Sequence, residues 1–175
     1  MISPMRPTAR TNSTAGLAQF MLEHPSHWLA QGFGSGLSPV MPGTAGTLMA
    51  WALFALPTVF WPGIFTPLFW AIAILAGFVL GIWACDRTGR DMGVADHGSM
   101  VWDEIIAFWL VLLFLMPTDF STQCAAFVWF RFFDMVKPPP IHFFDRHVKG
   151  GLGVMWDDIV AAFYTLLLFA LWRAA

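Results

Sequence analysis

Two short stretches carry the residues best suited to chemistry. VWDEIIAFW begins at Val101 and MWDDIVAAFY at Met155, and each sets two acids, Asp103–Glu104 and Asp157–Asp158, directly before an apolar run. A hard divalent cation takes carboxylate oxygens from more than one element as its ligands. One acid at a helix start would satisfy a free backbone N–H and suit the helix dipole. Only one member of a consecutive pair can occupy that cap position, so capping explains two such pairs less well. Carboxylates at the edge of hydrocarbon are costly unless partnered, and the four are read as a candidate metal site that Asp134 and Asp145 extend.

Cations and small residues lie nearby in the sequence. Lys137 opens KPPPI, a stiff spacer whose three prolines have no amide hydrogen and restricted φ, and Arg146 follows it. KGGLG, from Lys149, reads as a flexible loop whose amides can approach an anion. Arg131 stands three residues before Asp134, so the two share a helix face, as an ion pair or with a catalytic role. The segment GFGSGLSPVMPGTAGTL, residues 32–48, puts Ser38, Thr44 and Thr47 before an apolar helix, an arrangement that suits a phosphate. It lacks the Gly-Lys-Ser/Thr ending of a nucleotide-hydrolysing P-loop. Acids for a metal with cations for an anion amount to phosphate chemistry, in which a metal polarises the phosphoryl group and activates water.

The elements that must position these groups are membrane helices. The 175 residues are 58% hydrophobic and only 11% charged, against about 25% charged in a soluble domain. Uncharged or nearly uncharged runs at residues 46–61, 64–84, 105–116, 124–133 and 159–172 are candidate spans. The fold class expected is an all-α integral membrane bundle with about four to five spans: a mobile tail over residues 1–20 and one membrane domain over residues 21–175. Seven of the nine basic residues fall in segments that helical hairpins bring to one face, which the positive-inside rule makes cytoplasmic. A net charge of −2 and the lack of a basic arm give nucleic acid no partner surface, and two cysteines in apolar surroundings make no disulfide framework.

Other phosphatase chemistries fail on spacing. Cys85 and Arg90 are one residue short of the C-x5-R loop of cysteine phosphatases, and neither an Asp-x-Asp pair nor a Ser-Gly-His element is present. A transporter would carry its acids near mid-span, whereas these lie at the ends of apolar runs.

Three stretches in order, HPSHWLAQGFGSGLSPVMPGTAGTL, DMGVADHGSMVWDEI and FRFFDMVKPPPIHFFDRHVKGGLGVMWDDIVA, resemble bacterial phosphatidylglycerophosphatase A over residues 24–164. The resemblance implies an Mg2+-dependent phosphatase that converts the phospholipid phosphatidylglycerophosphate to phosphatidylglycerol at the bacterial inner membrane, with its active site facing the cytoplasm. On that reading Asp103, Glu104, Asp157 and Asp158 hold Mg2+, joined by Asp96. Lys137, Arg146, Lys149 and Arg131 bind the phosphate, and Ser38, Thr44 and Thr47 line its seat. A metal-activated water is the nucleophile, with Asp134 or Asp145 the candidates for a covalent alternative. His97 is either the proton donor to the leaving alkoxide or a hydrogen-bonded loop histidine. The chain departs from the family pattern at His142, where arginine is expected, and at Ala107 and Ala162, where glycine is.

Overall fold

A computed structural model describes residues 13–137 and 150–174. Every regular element among them is helical: α1 (Thr14–Glu23), α2 (Pro25–Ala30), a 3-10 segment (Gly32–Leu37), α3 (Pro42–Phe60), α4 (Pro67–Met92), α5 (Trp102–Leu115), α6 (Phe120–Val136) and α7 (Gly151–Ala174).

Local chemistry sets most of the boundaries. Ser13 caps α1 by accepting from the Gly16 N–H at 3.1 Å, so residues 14–20, expected within the tail, are helical. Thr66 caps α4 ahead of Pro67, and Gly93 ends it in the left-handed conformation (φ 73°) that closes helices. Asp119 caps α6 by accepting from Thr122 N–H at 2.7 Å. The chain turns between α3 and α4 at the expected Pro62–Gly63, tied by Phe65 N–H donating to Trp61 C=O at 3.1 Å.

Three helices, α3, α4 and α7, are long and apolar enough to cross a bilayer. The other two expected spans are shorter. α5 has 14 residues, about 21 Å at 1.5 Å per residue, and α6 has 17. α5 is the central rod of the bundle: Ile105, Ile106, Ala107, Phe108, Val111 and Leu112 are all fully buried. A helix surrounded by other helices needs no polar stripe, which is why its sequence looks like a membrane span although it is shorter than the ~20 residues a span needs.

Close approach onto α5 depends on two glycines of α4, four residues apart as in small-xxx-small packing motifs. A methyl at Gly77 would collide with Ile106, and one at Gly81 would lie 2.7 Å from Trp102 Cδ1. The Trp102 indole donates to the Gly77 carbonyl at 2.9 Å. On the far side Trp109 donates to Ala50 C=O in α3 at 2.8 Å, and Trp51 ties α3 to α6 through Gln123 at 2.6 Å. Each indole N–H is satisfied inside apolar surroundings, where an unpaired one would be costly.

This packing brings the start of α3, the end of α4, the start of α5, the end of α6 and the first turns of α7 to one end of the bundle. The acids collect there.

Candidate functional site

Asp103, Glu104 and Asp158 each offer an oxygen within 4.8 Å of the others. Asp103 and Asp158 are 7% and 4% exposed. Two acids come from the first turn of α5 and one from α7, so the cluster exists only because the helices pack.

None of the three caps a helix. The residue before α5 is Val101, which makes no side-chain cap bond. α7 begins at Gly151, so Asp157 and Asp158 sit in its second turn rather than at its start, as the sequence pattern suggested. Gly151 to Gly153 are helical because Gly151 is pressed onto α4: a methyl there would strike the Ile82 carbonyl and sit 2.7 Å from Asp86 N. Packing turned the glycine run into the entry of a helix, where propensity alone predicts a loop.

Asp103 Oδ1, Glu104 Oε2 and Asp158 Oδ2 are buried with no hydrogen-bond partner among the described residues. Buried polar groups almost always have partners, and buried carboxylates this close repel unless a positive charge lies between them. A hard divalent cation is the partner this donor set fits: oxygen ligands from two elements, orphaned and converging.

Arg131 of α6 closes one side. Its Nη1 is 2.5 Å from Asp134 Oδ2 and 3.8 Å from Glu104 Oε1. Of the two readings of Arg131 and Asp134, the structure shows the ion pair and adds Glu104 to it. Gly43, at the start of α3, lies under both partners: a methyl there would strike the Glu104 carboxylate and come within 3.1 Å of the Arg131 guanidinium.

Asp157 is 6% exposed but lies outside the three-acid group. One residue along a helix is a rotation of about 100°, and its carboxylate instead lies 3.6 Å from Lys137 Nζ. Burial lowers the proton affinity of Lys137, but Asp157 and Asp158 outweigh it and hold the ammonium above its ordinary range. Lys137 ends α6 in the left-handed conformation (φ 44°), which turns it toward α7.

The remaining expected residues divide. Thr44 Oγ1 is buried without a partner among the described residues, as a phosphate-seat hydroxyl would be. Thr47 is fully buried and gives its hydroxyl to Gly43 C=O at 2.9 Å. Ser38 caps an exposed turn through Val40 C=O at 2.8 Å. His97 accepts from Ser99 N–H at 3.2 Å, with Ser99 Oγ at 2.8 Å from the same Nδ1, so it braces the loop before α5. Asp96 is exposed in that loop. Asp145, Arg146 and Lys149, with His142 and the prolines of KPPPI, lie outside the described residues.

Sequence reasoning missed His27 and Asp91. His27 is 3% exposed. Its Nε2 lies 3.0 Å from Asp91 Oδ2 and its Nδ1 3.0 Å from Phe20 C=O, while Arg87 Nε donates to the same Asp91 oxygen at 2.7 Å. This pins α1 and α2 to the end of α4, and Ala30 C=O then accepts from Val101 N–H at 2.8 Å to fix where α5 begins. The only sequence signal was a histidine within an apolar stretch, and its partner is too distant in the chain for any spacing rule.

Comparison with known proteins gives a consistent result. Residues 28–173 match the family described as Phosphatidylglycerophosphatase A. Two relatives bear that name: one from Escherichia coli, 46% identical over 82% of this chain and 81% of its own length, and one from Haemophilus influenzae, 43% identical over 86% and 90%. A third, from Bacteroides thetaiotaomicron, is 39% identical over 83% and 91%, and its name provisionally assigns it as a phosphatidylinositol-3-phosphatase. No solved structure matches the chain.

Proposed function

The chain belongs to the phosphatidylglycerophosphatase A family, and from that premise we propose that it hydrolyses the phosphomonoester of phosphatidylglycerophosphate, releasing phosphatidylglycerol and phosphate. It is a phosphoric monoester hydrolase by its kinship. The observation that carries the site assignment is the convergence of Asp103, Glu104 and Asp158 within 4.8 Å.

In this reading those three carboxylates hold Mg2+, which when bound polarises the phosphoryl group and makes an attacking water more acidic. The chain's own residues do the rest. Arg131, 3.8 Å from Glu104 and paired with Asp134, orients the Glu104 carboxylate and offsets part of the negative charge of the cluster. Lys137, fully protonated, offsets charge on the phosphate oxygens from the α6–α7 side. Thr44 donates its unclaimed hydroxyl. His97, with Nδ1 taken by Ser99, keeps its Nε2 proton for the leaving alkoxide. Arg146 and Lys149 extend the phosphate contacts, and Asp157 serves by holding Lys137.

The protein sits in the inner membrane with this end of the bundle toward the cytoplasm. Supporting that orientation, Arg87, Arg90 and Lys137, among the described residues, belong to the ends of α4 and α6 on this side of the bundle. α5 and α6 complete the spanning bundle around α3, α4 and α7, with residues 21–175 as one domain. Detergent-solubilised protein offered phosphatidylglycerophosphate should release inorganic phosphate with Mg2+ and lose that activity in EDTA. Full activity without any divalent cation would remove the metal from the mechanism, and turnover of phosphatidylinositol 3-phosphate in preference would reassign the substrate.

A further inference from the structure

Two residues flanking the acid cluster hold a backbone conformation that L side chains rarely adopt, and both present exposed apolar side chains. Phe33 (φ 55°, ψ 26°) lies in the 3-10 segment after α2, and Met41 (φ 50°, ψ 61°) immediately precedes α3. Glycine and asparagine are the usual occupants of this region, and a bulky residue there is strained. Such strain persists only where the surrounding structure enforces it, and it concentrates at ligand clamps. Burial does not repay it here, because Phe33 is 37% and Met41 53% exposed.

Both residues reach the cluster in one or two steps. The Phe33 ring meets Trp102, the neighbour of Asp103, edge-on at 5.6 Å. The Phe33 ring also meets Trp28, with ring centroids 4.6 Å apart. Met41 stands two residues before Gly43, which lies against Glu104 and Arg131. Val40, 72% exposed, extends the surface beside it. Among the described residues the third non-glycine with positive φ is Lys137, on the α6 wall of the same cluster. The strained positions therefore border the carboxylates and occur nowhere else among the described residues.

We propose that Trp28, Phe33, Val40 and Met41 form a seat for the glycerol and first acyl methylenes of the lipid substrate, with Phe33 and Met41 held in strain so that their side chains face that lipid while its phosphate reaches the carboxylates. The proposal rests on the lipid-phosphatase reading and adds a site for the part of the substrate that is not phosphate. A lipid is the occupant because both strained positions adjoin the cluster that handles the phosphate, Phe33 through its contact with Trp102 beside Asp103 and Met41 through Gly43 against Glu104. The same chain also carries three helices apolar enough to be surrounded by lipid. Aromatic side chains with an apolar body are favoured at that depth of a membrane.

The test compares two substrates: diacyl phosphatidylglycerophosphate in mixed micelles, and its deacylated, water-soluble headgroup followed as substrate or as competitive inhibitor. Phe33→Asn and Met41→Asn delete the apolar side chain while keeping a residue that tolerates the left-handed backbone. Expected are a KM for the lipid raised about tenfold with kcat within about twofold, no change toward the deacylated headgroup, and recovery of the lipid KM in Phe33→Leu and Met41→Leu. Val40→Ser, at an exposed position with ordinary backbone, raises the lipid KM in the same direction and covers the case in which an asparagine variant fails to fold. An unchanged lipid KM in the folded variants, or an equal loss on both substrates, would overturn the seat. Wild-type protein that releases phosphate from neither substrate would overturn the phosphatase reading itself, a result distinct from either of those.

Discussion

Glu104 and Asp158 stand on different helices, α5 and α7, yet present carboxylate oxygens within 4.8 Å of each other, with Asp103 completing the group. Neither acid has a local reason to be where it is. Both are held by helix packing, and both keep an oxygen with no hydrogen bond among the described residues.

Charge repulsion at the cluster leads to opposite effects on activity and stability. Asp103→Asn or Asp158→Asn should lower phosphate release at least ~100-fold if the acids hold the metal. In EDTA the same variants should melt at a higher temperature than the wild type, because each removes one of several buried like charges. Calorimetry or a thermal-shift series in EDTA and in Mg2+ reads both halves. Mg2+ at 100 times its dissociation constant should stabilise the wild type by about 2.7 kcal/mol, and a variant stabilised equally would show that the substituted acid is not a ligand.

Gly43 should tolerate no side chain. Alanine favours a helix over glycine by about 1 kcal/mol, so Gly43→Ala would stabilise α3 if nothing stood in the way. The Glu104 carboxylate and the Arg131 guanidinium do stand in the way. Activity should fall roughly tenfold or more, a barrier cost of ~1.4 kcal/mol, through displacement of Glu104. Gly63→Ala, where an added methyl meets nothing within 4 Å, is the matched control and should be silent.

The His27–Asp91 bond should matter for folding more than for chemistry. Replacing His27 with Ala leaves Asp91 with Arg87 alone and orphans the Phe20 carbonyl, at a cost of about 1–3 kcal/mol. The melting temperature should drop while kcat of the protein that remains folded stays near the wild-type value. A kcat collapse without loss of stability would instead place His27 in the reaction.

Asp119 gives a pH dependence whose sign is fixed. Hydrogen bonds from Thr122 hold its carboxyl below the usual carboxylate range. A group with a depressed folded pKa contributes stability that is complete above its unfolded value, about 3.9, and is lost as pH falls through the folded one. Asp119→Asn keeps an N-cap without that titration. The wild type should therefore be the more acid-sensitive of the two below about pH 4, and equal acid sensitivity would show that the cap carries no titrating contribution.

Much of the site was legible because its residues are chemically out of place in an apolar chain. Asp103, Glu104 and Asp158 stood out against Ile, Ala and Phe, and Arg131 and Asp134 were close enough in sequence for a helix to pair them. Asp157 was grouped with the metal ligands because sequence adjacency hides a rotation of 100° per residue, and it faces Lys137. The glycine run before α7 read as a loop because the cost of glycine in a helix is visible in sequence, whereas the contact with α4 that offsets it is not.

By itself the sequence determined an all-helical chain for an apolar medium and the Ser13, Thr66 and Asp119 caps that start three of its helices, because composition and caps are local properties. Tertiary structure alone decided that α5 lies at the centre, that three of the acids meet and a fourth turns away, and that His27 finds Asp91. Those outcomes depend on how closely backbones approach and how each helix is rotated, and both are set by glycines and indoles on other helices, far away in the chain.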